Sequence, residues 1–243
     1  MLRFQLLPEI IKNLLIINGL FFLATVVLGN VFGMDLNSLL GLYLPQSDFF
    51  QPFQLVTHMF MHGNLGHIFF NMFALWMFGY ALENIWGPKK FLTYYLVTGF
   101  GAAMLHLGVQ YWEFQSLTAG LSSGEIQMLI DEGGKILRSG RNYSDPILGQ
   151  ANAILNSPTV GASGAVFGIL LAFGMLFPNQ RIYLYFAFPI KAKYFVAAYG
   201  LFELFNGIAN DPSSNVAHFA HLGGMLFGFL LLRFWKNKSG TYY

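Results

Sequence analysis

The sequence predicts an all-α, polytopic membrane protein folded as a bundle of six transmembrane helices. Three observations carry that expectation: too little charge for a soluble surface, six separate apolar runs, and cations that sort to one side when the runs alternate. Of 243 residues, 55% are hydrophobic and 10% charged, whereas a soluble domain would hold roughly a quarter charged residues. A bilayer removes the need for a charged surface. Cysteine is absent, which excludes a disulfide framework and thiolate chemistry. The first apolar run has no small-residue cleavage site and further runs follow it, so it reads as a span rather than a removable signal.

The apolar runs cover residues 14–31, 65–82, 91–111, 162–177, 194–208 and 216–234. The fourth and fifth are short against the about 20 residues of a full crossing, so their ends are expected below the membrane surface, shielded by neighbouring helices. Arg3, Lys12, Lys89, Lys90, Arg181, Lys191, Lys193, Arg233, Lys236 and Lys238 all fall on one side of an alternating six-span chain. Lys135, Arg138 and Arg141 fall on the other, within one long loop. The positive-inside rule then places both termini in the cytoplasm. Adding or removing one span would mix the charges, which supports six.

The whole chain, 1–243, reads as a single membrane domain with an external hydrophilic insertion at about 112–160. Within it Ser122 and Glu125 have capping-box spacing, and Ile126, Leu129, Ile130 and Leu137 continue on one stripe. An amphipathic helix resting on the bilayer surface is expected there. There is no internal repeat and no low-complexity tract.

Polar groups inside spans are costly and call for a reason. Three clusters stand out: Gly161-Ala162-Ser163-Gly164 opening span four, His67 with Asn71 in span two, and His218 with His221 in span six. With the orientation above, all three lie at the external ends of their helices, a common depth that one site would require. Ser163 by itself is equally well explained by close helix packing. As chemistry it is a nucleophile at a helix N-terminus, where free N–H groups and the dipole favour an oxyanion. Position 165 is Ala and no strand precedes, so this is not the Gly-x-Ser-x-Gly elbow of soluble hydrolases.

His221 is followed by Gly224 and Gly228, whose spacing opens a groove for another helix. If span four fills it, the imidazole can act on Ser163 as general base and then acid. His218, one turn earlier, is not excluded by spacing alone. His67 and Asn71, at i and i+4, serve either as a structural tie or as donors to a tetrahedral oxyanion. No intramembrane Asp stands ready to orient His221, so a dyad is expected rather than a triad. Glu203 in span five is expected to be a neutral, hydrogen-bonded structural residue, and His106 an interfacial one. His58 and His62 share i, i+4 spacing, but no Glu follows His58 to make a His-Glu-x-x-His zinc motif. No metal and no cofactor are expected.

The run His58-Met59-Phe60-Met61-His62-Gly63-Asn64-Leu65-Gly66-His67-Ile68-Phe69-Phe70-Asn71, then Gly161-x-Ser163-Gly164, then Ala220-His221-x-x-Gly224-x-x-x-Gly228 resembles the rhomboid family in order and spacing. The likeness runs from about Phe53 through the last span, omitting the insertion. It implies a rhomboid-like bundle and an intramembrane serine endopeptidase that cleaves transmembrane segments of other membrane proteins. Ser163 and His221 would be the dyad, with His67, Asn71 and the Ser163 N–H as the oxyanion site. Gly161, Gly164, Gly224 and Gly228 would support them, Phe167 would pack on the histidine, and Glu83 would be structural.

The Trp-Arg pair common in the family's first external loop reads Phe53-Gln54 here, a departure that bears on how that loop is anchored. Substrate entry, by the same resemblance, involves span five and the loop 209–215. By the same resemblance, the compact six-span form implies a bacterial inner membrane, with the site opening to the periplasm. The partners implied are transmembrane substrates and the bilayer; no nucleic acid is expected, and the sequence carries no signal for oligomeric state. A non-proteolytic protein of the same fold that binds membrane helices is the competing expectation, against which retention of Ser163 and His221 argues. A transporter using the histidines ranks last, because the polar clusters occupy one half of the bilayer.

Overall fold

A computed structural model describes residues 5–184, 187–209 and 216–239. In chain order these form α1 (Glu9–Phe32), the short helices α2 (Leu36–Leu40) and α3 (Gln54–Thr57), α4 (Leu65–Trp86) and α5 (Pro88–Thr118). The insertion supplies α6 (Ser123–Asp131), α7 (Gly133–Arg138) and α8 (Pro146–Asn156). Then follow α9 (Ser163–Leu176), a hairpin of β1 (Arg181–Leu184) and β2 (Phe188–Lys191), α10 (Ala192–Ala209) and α11 (His218–Ser239). The six expected spans correspond to α1, α4, α5, α9, α10 and α11. The loop implicated in substrate entry lies, for 210–215, outside the described residues.

Helices α1, α4 and α5 are long and apolar enough to cross a membrane, and α9 is a shorter apolar helix. Helices α10 and α11 fall below that hydropathy because each carries ionisable side chains. Large apolar side chains cover the outside of the bundle, Phe70 at 69% and Phe205 at 73% exposure among them, with Leu20, Leu23, Ile208 and Leu230. In water such a surface would aggregate; against hydrocarbon it is the solvated face. The chain is an integral membrane protein.

Helix α9 is the centre. Ten of its fourteen residues are buried, and α4, α5, α10 and α11 surround it. Close approach depends on missing side chains: a Cβ on Gly168 would fall 2.6 Å from Thr98, and one on Gly101 2.2 Å from Phe227. Tyr94 Oη donates to the Gly168 carbonyl at 2.9 Å, so α5 and α9 are also tied by a buried hydrogen bond. In hydrocarbon, where apolar burial drives little helix association, such packing and bonds carry the assembly.

Contacts fix the direction of each helix. The starts of α4, α9 and α11 meet at one level with the later turns of α5 and α10. At the opposite end, Trp86 at the end of α4 packs edge-on against Trp235 of α11 at 5.7 Å, and Lys90 lies over Trp235 at 4.7 Å. The helices therefore alternate, and the expected cation-rich end is the one remote from Ser163.

Glu83 explains how α1 docks there. Its carboxylate accepts from the Ile10 N–H at 2.8 Å and the Ile11 N–H at 3.0 Å, filling two of the first-turn donors that a helix cannot satisfy itself. The charge also faces the positive end of the α1 dipole. Glu83→Ala is expected to cost roughly 1–3 kcal/mol by leaving those donors unpaired, seen as a lower unfolding temperature in detergent. An unchanged midpoint would show that α1 docks without it.

The insertion departs from expectation. The capping box forms, with the Ser122 N–H donating to Glu125 Oε2 at 2.8 Å. But the stripe is divided between two helices, α6 ending at Asp131 and α7 starting at Gly133, with Glu132 between them. Leu129 is fully buried in a second small core with Leu42, Leu44, Leu107, Phe114 and Leu155. A Cβ on Gly134 would strike the Phe49 ring, so this glycine lets α7 lie against the loop that precedes α3. Asn156 stitches the insertion together, donating to the Leu129 carbonyl at 2.9 Å and accepting from Ser47 Oγ at 2.8 Å. Helix α5 also runs on to Thr118, past the expected end at 111.

The loop between α2 and α4 is anchored by the residue that departs from the family pattern. Gln54 is 1% exposed. Its amide donates to the Leu39 and Phe49 carbonyls at 3.2 and 3.0 Å and accepts from the Gln51 N–H at 3.0 Å. A bridge between Leu42 and Thr159 joins this loop to the strand of chain entering α9.

Candidate active site

Ser163 opens α9, and its Oγ lies 2.9 Å from His221 Nε2. The approach is set by backbone contact: a Cβ on Gly224 would fall 1.8 Å from the Gly164 carbonyl oxygen. The groove expected from Gly224 and Gly228 is therefore filled, at Gly224, by the residue after Ser163. Gly228 takes a different neighbour, with Tyr94 Oη 2.3 Å from where its Cβ would be. Phe167, one turn along α9, stacks on His221 with ring centres 4.0 Å apart and planes 7° apart.

His67 and Asn71 sit on the same face of α4, whose start is capped by Asn64 accepting from the His67 N–H at 2.8 Å. Gly161, at φ 132°, holds a conformation that disfavours any side chain. A Cβ there would fall 2.7 Å from His67 Nε2 and 3.6 Å from Ser163 Oγ. The glycine thus keeps open the space between the two. His67 Nδ1 accepts a long bond of 3.4 Å from the Gly63 N–H, which leaves the proton on Nε2, facing that space. Asn71 is buried and donates one amide N–H to the His67 carbonyl at 3.1 Å; the amide carries a second. The first-turn N–H groups of α9 have no acceptor within their own helix. A cavity of about 20 Å³ beside Ser163, lined by His58, His106, Thr159, Gly161 and Ala220 among others, has room for roughly one water.

Two readings change. His106 is not interfacial: it is buried, and its Nε2 lies 2.9 Å from Thr159 Oγ1 on the cavity wall. Glu203 is hydrogen-bonded, as expected, but its partners are the histidines of α11. Its Oε2 accepts from His221 Nδ1 at 2.9 Å and from His218 Nδ1 at 2.7 Å. A carboxylate does stand behind His221, supplied by Glu from α10. Its only sequence signal was the cost of a carboxyl group inside a span.

Among the described residues, Glu203, His218 and His221 are also the one group of three possible metal ligands, their donor atoms within 4.8 Å of one another. The hydrogen bonds just described already employ those atoms. His58, half of the i, i+4 pair, instead binds the Gln54 carbonyl through Nδ1 at 2.7 Å.

Outside the spans, burial holds His58 at about 4 against the usual 6.5, and burial together with nearby His67 does the same to His62. Unfolded, both would take up protons between those values, so their contribution to stability is complete above about pH 6.5 and is lost as pH falls toward 4. Each is worth on the order of 3 kcal/mol across that window. The unfolding midpoint in detergent is expected to fall steadily from pH 7 to pH 4.5, with a flatter slope in the His58→Gln/His62→Gln double variant. Equal slopes would assign the acid sensitivity elsewhere.

Residues 50–237 match the sequence profile of the Rhomboid domain. The chain is 30% identical over 205 residues to an uncharacterised mitochondrial rhomboid protein of Schizosaccharomyces pombe, covering 76% of this chain and 52% of that protein. It is 28% identical over 172 residues to the mitochondrial RHOMBOID-like protein 12 of Arabidopsis thaliana, covering 70% and 42%. Against the rhomboid protease AarA of Providencia stuartii it is 27% identical over 177 residues, covering 71% and 52%. The chain spans about half the length of these relatives. Two of the three are mitochondrial, which runs against the expected bacterial inner membrane; an integral membrane location stands without a compartment.

Proposed function

Because this chain belongs to the rhomboid family, we propose that it is an intramembrane serine endopeptidase that cuts transmembrane segments of other membrane proteins, with Ser163 as nucleophile and His221 as base. The observation that carries this reading is the 2.9 Å approach of Ser163 Oγ to His221 Nε2, made inside a membrane bundle, where polar side chains are costly.

The chemistry follows from the geometry. Ser163 Oγ attacks the scissile carbonyl carbon as its proton passes to His221 Nε2. The carbonyl oxygen becomes an oxyanion, received by the Ser163 N–H, the His67 Nε2–H and an Asn71 amide N–H. The intermediate collapses: the C–N bond breaks and the amine leaves with the proton from His221. Water, entering from the small cavity, then attacks the acyl ester with His221 again as base. The acid is released and Ser163 regains its proton. A substrate helix must first unwind, since its carbonyls are held in internal hydrogen bonds, so helix-breaking residues near the cut favour it.

A fluorophosphonate probe separates a peptidase from a helix-binding protein of the same fold. Labelling of the wild type that disappears in Ser163→Ala supports the peptidase. A folded wild type that resists the probe and leaves transmembrane substrates intact sinks it.

A further inference from the structure

We infer that Glu203 is a positioning residue for the acyl-transfer site, a carboxylate that fixes the tautomer and orientation of His221 and so extends the dyad to a Ser163–His221–Glu203 chain of hydrogen bonds. This rests on the peptidase reading and adds to it a residue from a third helix. Glu203 Oε2 accepts from His221 Nδ1 at 2.9 Å while His221 Nε2 faces Ser163 Oγ at 2.9 Å. A neutral imidazole has one N–H. With that proton held on Nδ1 by a carboxylate, the Nε2 lone pair must face the serine hydroxyl, which is the form a general base requires. When Nε2 takes the serine proton, the imidazolium keeps its Nδ1–H. Its positive charge then lies against the carboxylate, which itself gains no proton.

The surroundings hold Glu203 to this task. Most of α10 is exposed on the outside of the bundle; its buried residues are Ala192, Val196, Glu203 and Gly207, which share one narrow stripe. Gly207 admits Phe219 to 3.2 Å of its absent Cβ, bringing α10 and α11 together one turn from Glu203. His218 binds the same carboxylate oxygen at 2.7 Å, so the carboxylate is gripped from two turns of α11. Tyr199, one turn before Glu203, packs on Phe167 at 4.9 Å, and Phe167 stacks on His221. Helix α10 thus reaches the imidazole both through its Nδ1 edge and through its face. A carboxyl group 2% exposed in a membrane bundle is costly unless paired.

The experiment compares wild type, Glu203→Gln, Glu203→Asp and Ser163→Ala, purified in detergent and matched for unfolding temperature. Glu203→Gln presents an amide that can donate to Nδ1 and so favours the wrong tautomer. It is expected to lower kcat by about 10²–10⁴-fold with KM little changed, and fluorophosphonate labelling should slow in parallel. Glu203→Asp should recover at least about tenfold over Gln, since it keeps the acceptor. The ¹⁵N spectrum of histidine-labelled protein, with the His221 signal identified by its loss in His221→Asn, should show Nδ1–H in the wild type and a shift toward Nε2–H in Glu203→Gln. Full activity in Glu203→Gln overturns the inference, as does an unchanged His221 tautomer. Loss of activity in EDTA with recovery in zinc also overturns it, by making the trio a metal site. If the wild type is inert to substrate and probe, the peptidase reading falls, and the tautomer measurement still decides what Glu203 does.

Discussion

Ser163→Ala is expected to abolish cleavage of a transmembrane reporter, with a fall of about 10⁴–10⁶-fold in kcat. His221→Ala should fall by a similar factor, and the double variant should be little worse than either. That non-additivity is the informative part. If the serine oxygen is nucleophilic only because Nε2 removes its proton, then with one gone the other has nothing left to contribute. Two residues that merely packed together would give modest, additive effects on stability and little change in kcat. The measurement is single-turnover cleavage in liposomes at saturating enzyme, with circular dichroism confirming that each variant is folded. Residual cleavage in Ser163→Ala within about tenfold of wild type would remove the serine from the mechanism.

Gly224→Ala is the second large effect, and it arises without touching a reacting atom. The added methyl would sit 1.8 Å from the Gly164 carbonyl oxygen, backbone that no rotamer change can clear. Helices α9 and α11 must separate by more than an ångström at that level. Gly224 is one turn beyond His221 and Gly164 adjoins Ser163, so the 2.9 Å contact between the two side chains opens with the helices. Misplacement of that size costs roughly 10²-fold in rate, and overpacking of a filled interface costs about 1–3 kcal/mol in stability. Both a fall of about 10² or more in kcat and a lower unfolding midpoint are therefore expected. Gly19→Ala, where no atom lies within 4 Å of the new methyl, is the control. Activity in Gly224→Ala within about threefold of wild type would mean that the helices adjust freely and do not set the site.

The two experiments probe different levels. The first asks what the groups do. The second asks what holds them where they can do it. In a bundle with little apolar driving force between helices, a single absent Cβ carries much of the second answer.

The amino-acid sequence by itself determined the six membrane helices, because apolar run length and charge sidedness are local quantities. Their ends fell close to the observed ones where a Gly or a polar group stops the run, as at Asn64 before α4. Helix α5 continues to Thr118, beyond the apolar run that ends at 111, because the insertion packs on it and buries Phe114 beside Leu129. Ser163 and His221 were legible as polar groups at one depth, and the family resemblance chose His221 over His218.

Glu203 was not legible in its role. It lies on another helix, and spacing along α10 says which residues share a stripe but not which atom that stripe meets on α11. Hydrophobic periodicity has no term for the partner. The same holds for Asn156 with Ser47 and for His106 with Thr159, pairs 109 and 53 residues apart. The sequence specified which groups are too costly to bury unaccompanied. Only the tertiary packing, set by glycine contacts shorter than any side chain allows, decided which groups accompany them.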